Sequence, residues 1–186
     1  MQASVAIWRI VYNSFNYCEE LYMEWDEYFL KIAETVALRS KDPSTKVGTV
    51  ITTKNHRPIS FGYNGLIQHA DESKLTLSER PMKYYFSIHS EMNAMIFSHC
   101  DLKDCTVYSS VAPCVDCLRH LLQAGVTRIV YRQLHVNSHA KKAKSSMQNE
   151  ETDQAIIALL EAMPHVETLN YTNGKNYIED LKAAKE

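Results

Sequence analysis

The chain has 186 residues, 45% of them hydrophobic, with 20 basic and 22 acidic side chains and a formal net charge of -2. That suits one domain with a full apolar core. It excludes the strongly basic surface that usually meets a long polyanion such as DNA, so no polynucleotide partner is expected. No run approaches the ~20 apolar residues of a membrane span, and the apolar start is broken by Arg9 without a clear cleavage site. The expectation is a cytoplasmic protein with no membrane partner. In that compartment a cysteine pair points to metal or catalysis rather than a disulfide, and of the five cysteines Cys18, Cys100 and Cys105 read as ordinary buried or surface residues.

Residues 1–23 are rich in aromatics, among them Trp8, Tyr12, Phe15, Tyr17 and Tyr22, and form an N-terminal extension of undetermined structure. The main domain is expected over 24–175, with 176–186 as a C-terminal tail. Residues 24–40 place Trp25, Tyr28, Phe29, Ile32, Ala33, Val36 and Ala37 at helical spacing. That helix should stop before Pro43, because a residue preceding proline resists the helical conformation. The β-branched run 47–53 and the segment Pro-Ile-Ser-Phe-Gly-Tyr, separated by a polar turn, predict a hairpin. Residues 64–80 carry no period. Residues 88–98 predict a helix, 105–111 a strand, 114–124 a helix closed by Gly125, and 126–131 a strand. Residues 132–150 predict a loop, including the basic Lys141-Lys142-Ala143-Lys144, which reads as solvated. A helix up to Pro164 and a last strand near His165–Leu169 follow. Strands alternating with helices imply an α/β layered domain.

Two motifs carry chemistry: His89-Ser90-Glu91 and Pro113-Cys114-Val115-Asp116-Cys117. Zinc takes imidazole and thiolate ligands, and a catalytic site uses three of them and keeps the fourth place for water. Cys114 and Cys117, three apart at a helix start, can share one face, and a helix N-terminus favours thiolate. His89 supplies the third ligand from the start of another helix. Glu91 then sits beside the metal as a proton carrier, where zinc makes water nucleophilic near neutral pH. The pair H-x-E and P-C-x-x-C is the known signature of zinc deaminases. A thioredoxin-like redox pair would leave His89 and Glu91 without a use. A structural zinc site would need a fourth ligand, for which Cys100 and Cys105 are the candidates, and it has no use for Glu91. A non-catalytic zinc module is disfavoured for the same reason.

The segments 39–51 (RSKDPSTKVGTVI), 62–65 (GYNG), 89–94 (HSEMNA), 106–117 (TVYSSVAPCVDC) and 123–131 (QAGVTRIVY) follow in this order. Together they closely resemble the deoxycytidylate (dCMP) deaminases, including those of bacteriophages, over about residues 26–135. The resemblance implies a three-layer α/β/α cytidine-deaminase-like fold with a central mixed sheet of about five strands. It implies a hydrolase that converts dCMP to dUMP and ammonia, feeding thymidylate synthesis. It also implies activation by dCTP, inhibition by dTTP, and a homo-hexamer.

Carried over by position, His89, Cys114 and Cys117 resemble the zinc ligands and Glu91 the proton shuttle. Substrate contacts are implied at Ser44, Lys46, Asn64, Ala112, Pro113 and His135, with Ser44 and Lys46 at the phosphate. Family members often carry a base-stacking tyrosine after the strand ending in VY; here His135 falls nearest. Gly62, Tyr63, Asn64 and Gly65 resemble the motif that cradles the allosteric nucleotide. The two glycines are expected to permit close approach and positive φ, and Asn64 to offer both donor and acceptor. Asp71 and Glu72 are expected to help hold Mg2+ on the effector triphosphate. Rival substrates of the same chemistry are a deoxycytidine triphosphate and a nucleotide within RNA.

Overall fold

Trp25–Ala37 forms the first helix (α1) of the computed structural model, which describes residues 22–134 and 150–185. The extension up to residue 21, the 141–144 basic run and His135 lie outside the described residues. The helix ends earlier than the proline rule predicts. Ser40 turns the chain by donating its hydroxyl to the Asn64 carbonyl at 2.7 Å.

Strands β1 (Gly48–Thr52) and β2 (Pro58–Tyr63) pair antiparallel, as the predicted hairpin requires. A short ladder follows between β3 (Gly65–Leu66) and β4 (Ser87–Ile88), with the one-turn helix α2 (Lys83–Phe86) between them. Then come α3 (Ser90–Ile96), β5 (Thr106–Val111), α4 (Val115–Gln123) and β6 (Arg128–Gln133). The described chain ends with α5 (Glu150–Glu161), β7 (Glu167–Asn170) and α6 (Tyr177–Ala183). Gly125 closes α4 at φ +85°, the left-handed conformation expected of it.

The central sheet runs β2-β1-β5-β6-β7. β1 and β5 are antiparallel, whereas β5, β6 and β7 are parallel, so the sheet is mixed. Side chains alternate across it. Val50, Tyr108 and Val130 face Phe29, Leu30 and Ala33 of α1. Their neighbours Ile51, Val107 and Ile129 face the opposite layer, with Ala94 of α3, Leu118 and Leu121 of α4 and Ile156 of α5. Both faces are covered, which is why these strands read as continuous apolar runs. α1 lies so close to β1 that a Cβ on Gly48 would stand 2.0 Å from the Ala33 carbonyl oxygen. The three-layer architecture and five-stranded mixed sheet are those expected.

One boundary needs correcting. Residues 176–186, read as a tail, contain α6, which packs into the core through Tyr177 and Leu181. Its start is fixed by a capping box in which Asn176 and Glu179 each accept from the other's backbone N–H.

Candidate active site

His89 and Cys114 occupy the N-caps of α3 and α4, and Cys117 lies one turn into α4. The packing of these two helix starts at the end of β5 brings the three side chains together. His89 Nδ1 lies 3.5 Å from Cys114 Sγ and 3.5 Å from Cys117 Sγ. The three donor atoms fall within 4.8 Å of one another, and both cysteines are buried. A tetrahedral ion bonded at about 2.3 Å to sulfur and about 2.0 Å to nitrogen separates such donors by roughly 3.5 Å. The donor set therefore fits zinc in both chemistry and spacing.

The protonation pattern agrees. The Cys117 thiol and the neighbouring His89 pull Cys114 down to about 4, against the opposing effect of burial. Cys117 is pushed up by its bond to the Cys114 sulfur and by burial. The same Cys114 sulfur raises His89 to about 9, although burial works the other way. Thiolate character at Cys114 suits a soft divalent cation, which binds sulfur in its deprotonated form.

Glu91 is 4% exposed, in the first turn of α3. Burial pushes its carboxyl up, opposed by His89. Its Oε2 accepts from Ser90 Oγ at 2.9 Å, and Ser90 Oγ accepts from Thr49 Oγ1 at 2.9 Å. The carboxyl is thereby oriented by a chain of hydroxyls from β1. A buried carboxyl of raised pKa beside a metal-ligand set is suited to taking up and returning protons.

Lys46 is exposed on its turn. Ser44 is the centre of a cluster that sequence spacing did not reveal. Its hydroxyl donates to Asp42 Oδ1 at 2.8 Å and accepts from Lys83 Nζ at 2.7 Å and Arg80 Nη2 at 3.3 Å. Lys83 also pairs with Asp42 Oδ2 at 2.7 Å, both side chains being buried. Burial tends to raise Asp42, but Lys83 and the Ser44 and Thr45 donors outweigh it and hold its carboxyl below the ordinary range. The signal for Lys83 was weak, since it stands 39 residues from Ser44.

Asn64 is nearly buried, and its side chain is used by the protein itself. Oδ1 accepts from Val47 N at 2.8 Å and Nδ2 donates to Thr45 O at 2.8 Å. Asn64 thus pins the 45–47 turn to the GYNG strand end. Ala112 and Pro113 are buried between β5 and Cys114, with Ala112 N donating to Gln133 O at 2.8 Å.

A cavity of about 600 Å³ opens beside the GYNG segment. Gly62, Tyr63 and Gly65 line it, with Arg39, Lys41 and Asn93. Neither glycine adopts positive φ, contrary to expectation. Gly62 is required for close approach instead: a Cβ there would stand 2.1 Å from Ser90 O and 2.4 Å from Ala94 N. Glu72 borders this cavity and pairs with Lys41 at 2.7 Å. The Asp71 carboxylate accepts from the Ser73 hydroxyl at 2.6 Å.

Comparison with known proteins agrees with this geometry. Residues 23–133 match the family model of the cytidine and deoxycytidylate deaminase zinc-binding region. An Aliivibrio fischeri protein described as a deaminase in the luxG 3′ region is 39% identical over 106 residues, 57% of this chain and 71% of that one. Human deoxycytidylate deaminase is 32% identical over 116 residues, 59% of this chain and 65% of the human enzyme, just under two thirds of its length. The crystal structure of dCMP deaminase from the cyanophage S-TIM5 superposes with a TM-score of 0.53 at 26% identity, over 62% of this chain and 87% of that one. The phage enzyme has also been solved in complex with dCMP and dUMP. The matched region spans most of the chain and contains His89, Glu91, Cys114 and Cys117, and the chain belongs to the cytidine and deoxycytidylate deaminase family.

Proposed function

We propose that this protein hydrolyses dCMP to dUMP and ammonia with a zinc ion held by His89, Cys114 and Cys117. The observation that carries the reading is the buried Glu91 carboxyl beside the three-donor cluster. When bound there, zinc supplies Lewis acidity that makes a water nucleophilic near neutral pH. The rest is done by the chain. Glu91 accepts the proton of the attacking water, delivers it to N3 of the cytosine ring, and assists the departure of the C4 amino group as ammonia. Ser90 holds Glu91 Oε2 in one orientation throughout. The buried Ala112-Pro113 segment leads into Cys114 and is suited to lie along the substrate.

The monophosphate end of the substrate belongs at the Ser44 turn. Lys46 and Arg80 are exposed cations on that side, and charge-assisted bonds to phosphate are among the stronger ones available. His135 as the base-stacking residue rests on the resemblance alone. So does assembly into a hexamer.

Regulation by dCTP and dTTP is proposed for the cavity beside GYNG. Its volume of about 600 Å³ accommodates a nucleotide, and Arg39 and Lys41 offer cations for phosphates. Of the two acids suggested for Mg2+, Glu72 borders the cavity. α3 links this cavity to the donor cluster: Asn93 lines the cavity and donates Nδ2 to Tyr63 O at 2.7 Å, and His89 and Glu91 lie at the start of the same helix. An effector must bind two states unequally to change the rate, and a shift of α3 would reach the catalytic groups directly.

The test is ammonia release from dCMP, dCTP, deoxycytidine and CMP, with and without dCTP or dTTP as effector. dCMP should be the preferred substrate, with dCTP raising and dTTP lowering its turnover. Preference for dCTP or deoxycytidine would overturn the substrate assignment.

A further inference from the structure

We infer that Tyr177 is a positioning residue for the zinc-ligand loop, delivered by a helix outside the family-matched region; the inference rests on the deaminase reading for the reaction served. Tyr177 is fully buried, and its hydroxyl donates to the Pro113 carbonyl oxygen at 2.8 Å. The residue after Pro113 is Cys114. The loop between β5 and α4 has few other anchors. Ala112 N is tied to Gln133 O, and Pro113 has no N–H to offer. The Pro113 carbonyl oxygen is a buried acceptor that needs a partner, and the rotation of the Pro113–Cys114 peptide sets the direction from which the Cys114 side chain leaves. Tyr177 fixes that rotation from outside the loop.

The tyrosine is itself held at both ends. Its backbone N–H donates to Thr168 Oγ1 of β7 at 3.0 Å, and its ring packs against Tyr131 with centroids 5.2 Å apart. Tyr131 donates to Asp180 Oδ2 at 2.6 Å, and Asn170 Nδ2 donates to the same oxygen at 2.6 Å. Asn173 Nδ2 donates to Asp180 Oδ1 at 2.8 Å. This network docks α6 on β6 and β7, while Tyr177 itself is held by Thr168 and the Tyr131 ring. Partners one shell out from a metal commonly matter this much, because they orient the ligand rather than bind the ion.

The experiment compares zinc-loaded wild type, Tyr177→Phe and Asn173→Ala. Phenylalanine keeps the ring and its packing and removes only the hydroxyl. Asn173→Ala weakens the docking of α6 but leaves the Tyr177 hydroxyl in place. Transfer of zinc to a chromophoric chelator is followed without substrate, melting temperatures are recorded, and kcat and KM for dCMP are measured separately. Tyr177→Phe should release zinc on the order of tenfold faster, with kcat reduced and KM little changed, as for a group acting on the transition state. Asn173→Ala should melt lower yet release zinc at the wild-type rate. Wild-type zinc release from Tyr177→Phe, or equal acceleration in Asn173→Ala, would overturn the inference. Zinc release needs no substrate, so it separates this inference from the choice of dCMP, which fails on its own if wild type forms no dUMP.

Discussion

His89, Glu91, Cys114 and Cys117 were legible in the sequence because metal ligation and proton transfer each demand a narrow set of side chains, and helix starts put short spacings on one face. The Asp42–Ser44–Lys83 cluster was not, since its members meet only after the chain has passed through β1, β2 and the following loop. Asn64 and Ser44, both expected at the substrate, also tie the turn together: Asn64 Oδ1 accepts from Val47 N, Asn64 Nδ2 donates to Thr45 O, and the Ser44 hydroxyl donates to Asp42. The buried Asp42–Lys83 pair makes a prediction. Removing one partner of such a pair leaves the other charge buried, which costs about 3 kcal/mol. The Asp42 carboxyl is held below its ordinary range, so its stabilising effect is complete above the unfolded value of about 4 and is lost as pH falls through the lower folded value. Lys83→Met should therefore lower the melting temperature strongly at pH 7, with the gap from wild type narrowing toward pH 3. A gap that does not change with pH would assign the cost to packing instead.

At the scale of elements, hydrophobic period recovered the strands of the hairpin, β5, β6 and the helices α1, α3, α4 and α5. It missed α6, whose stretch is expected as a tail. The capping pair Asn176 and Glu179 was the available signal. The packing of β2 on α3 was also hidden, because a glycine in a strand reads equally as a turn, a bulge or a close approach. The geometry separates the two glycines of GYNG. A Cβ on Gly62 would collide with the α3 backbone, whereas one on Gly65 would meet only the Tyr63 ring at 3.8 Å. Gly62→Ala should cost roughly 2–3 kcal/mol in denaturant unfolding, as overpacking does. Gly65→Ala should be near neutral. Equal effects would refute the account of α3 packed tightly on β2 at Gly62.

Across the whole molecule, the central sheet with helices on both faces places a buried donor cluster at the end of β5, and a nucleotide-sized cavity lies beside the GYNG segment, lined in part by Asn93 of α3. The near-neutral charge pointed to a small ligand rather than a polyanion. Among the described residues no helix is long and apolar enough to cross a membrane. Effector response and assembly depend on surfaces that period and composition do not encode, so there the resemblance carried the expectation. The central claim is that Glu91 moves the protons while His89, Cys114 and Cys117 hold the metal. dUMP formation from dCMP by Glu91→Gln, with its zinc content measured on the same sample, tests it most directly. The variant should keep zinc at the wild-type ratio and lose turnover by roughly 10²–10⁴-fold, the range of general acid–base catalysis. Zinc retained with turnover near the wild-type rate would contradict the account.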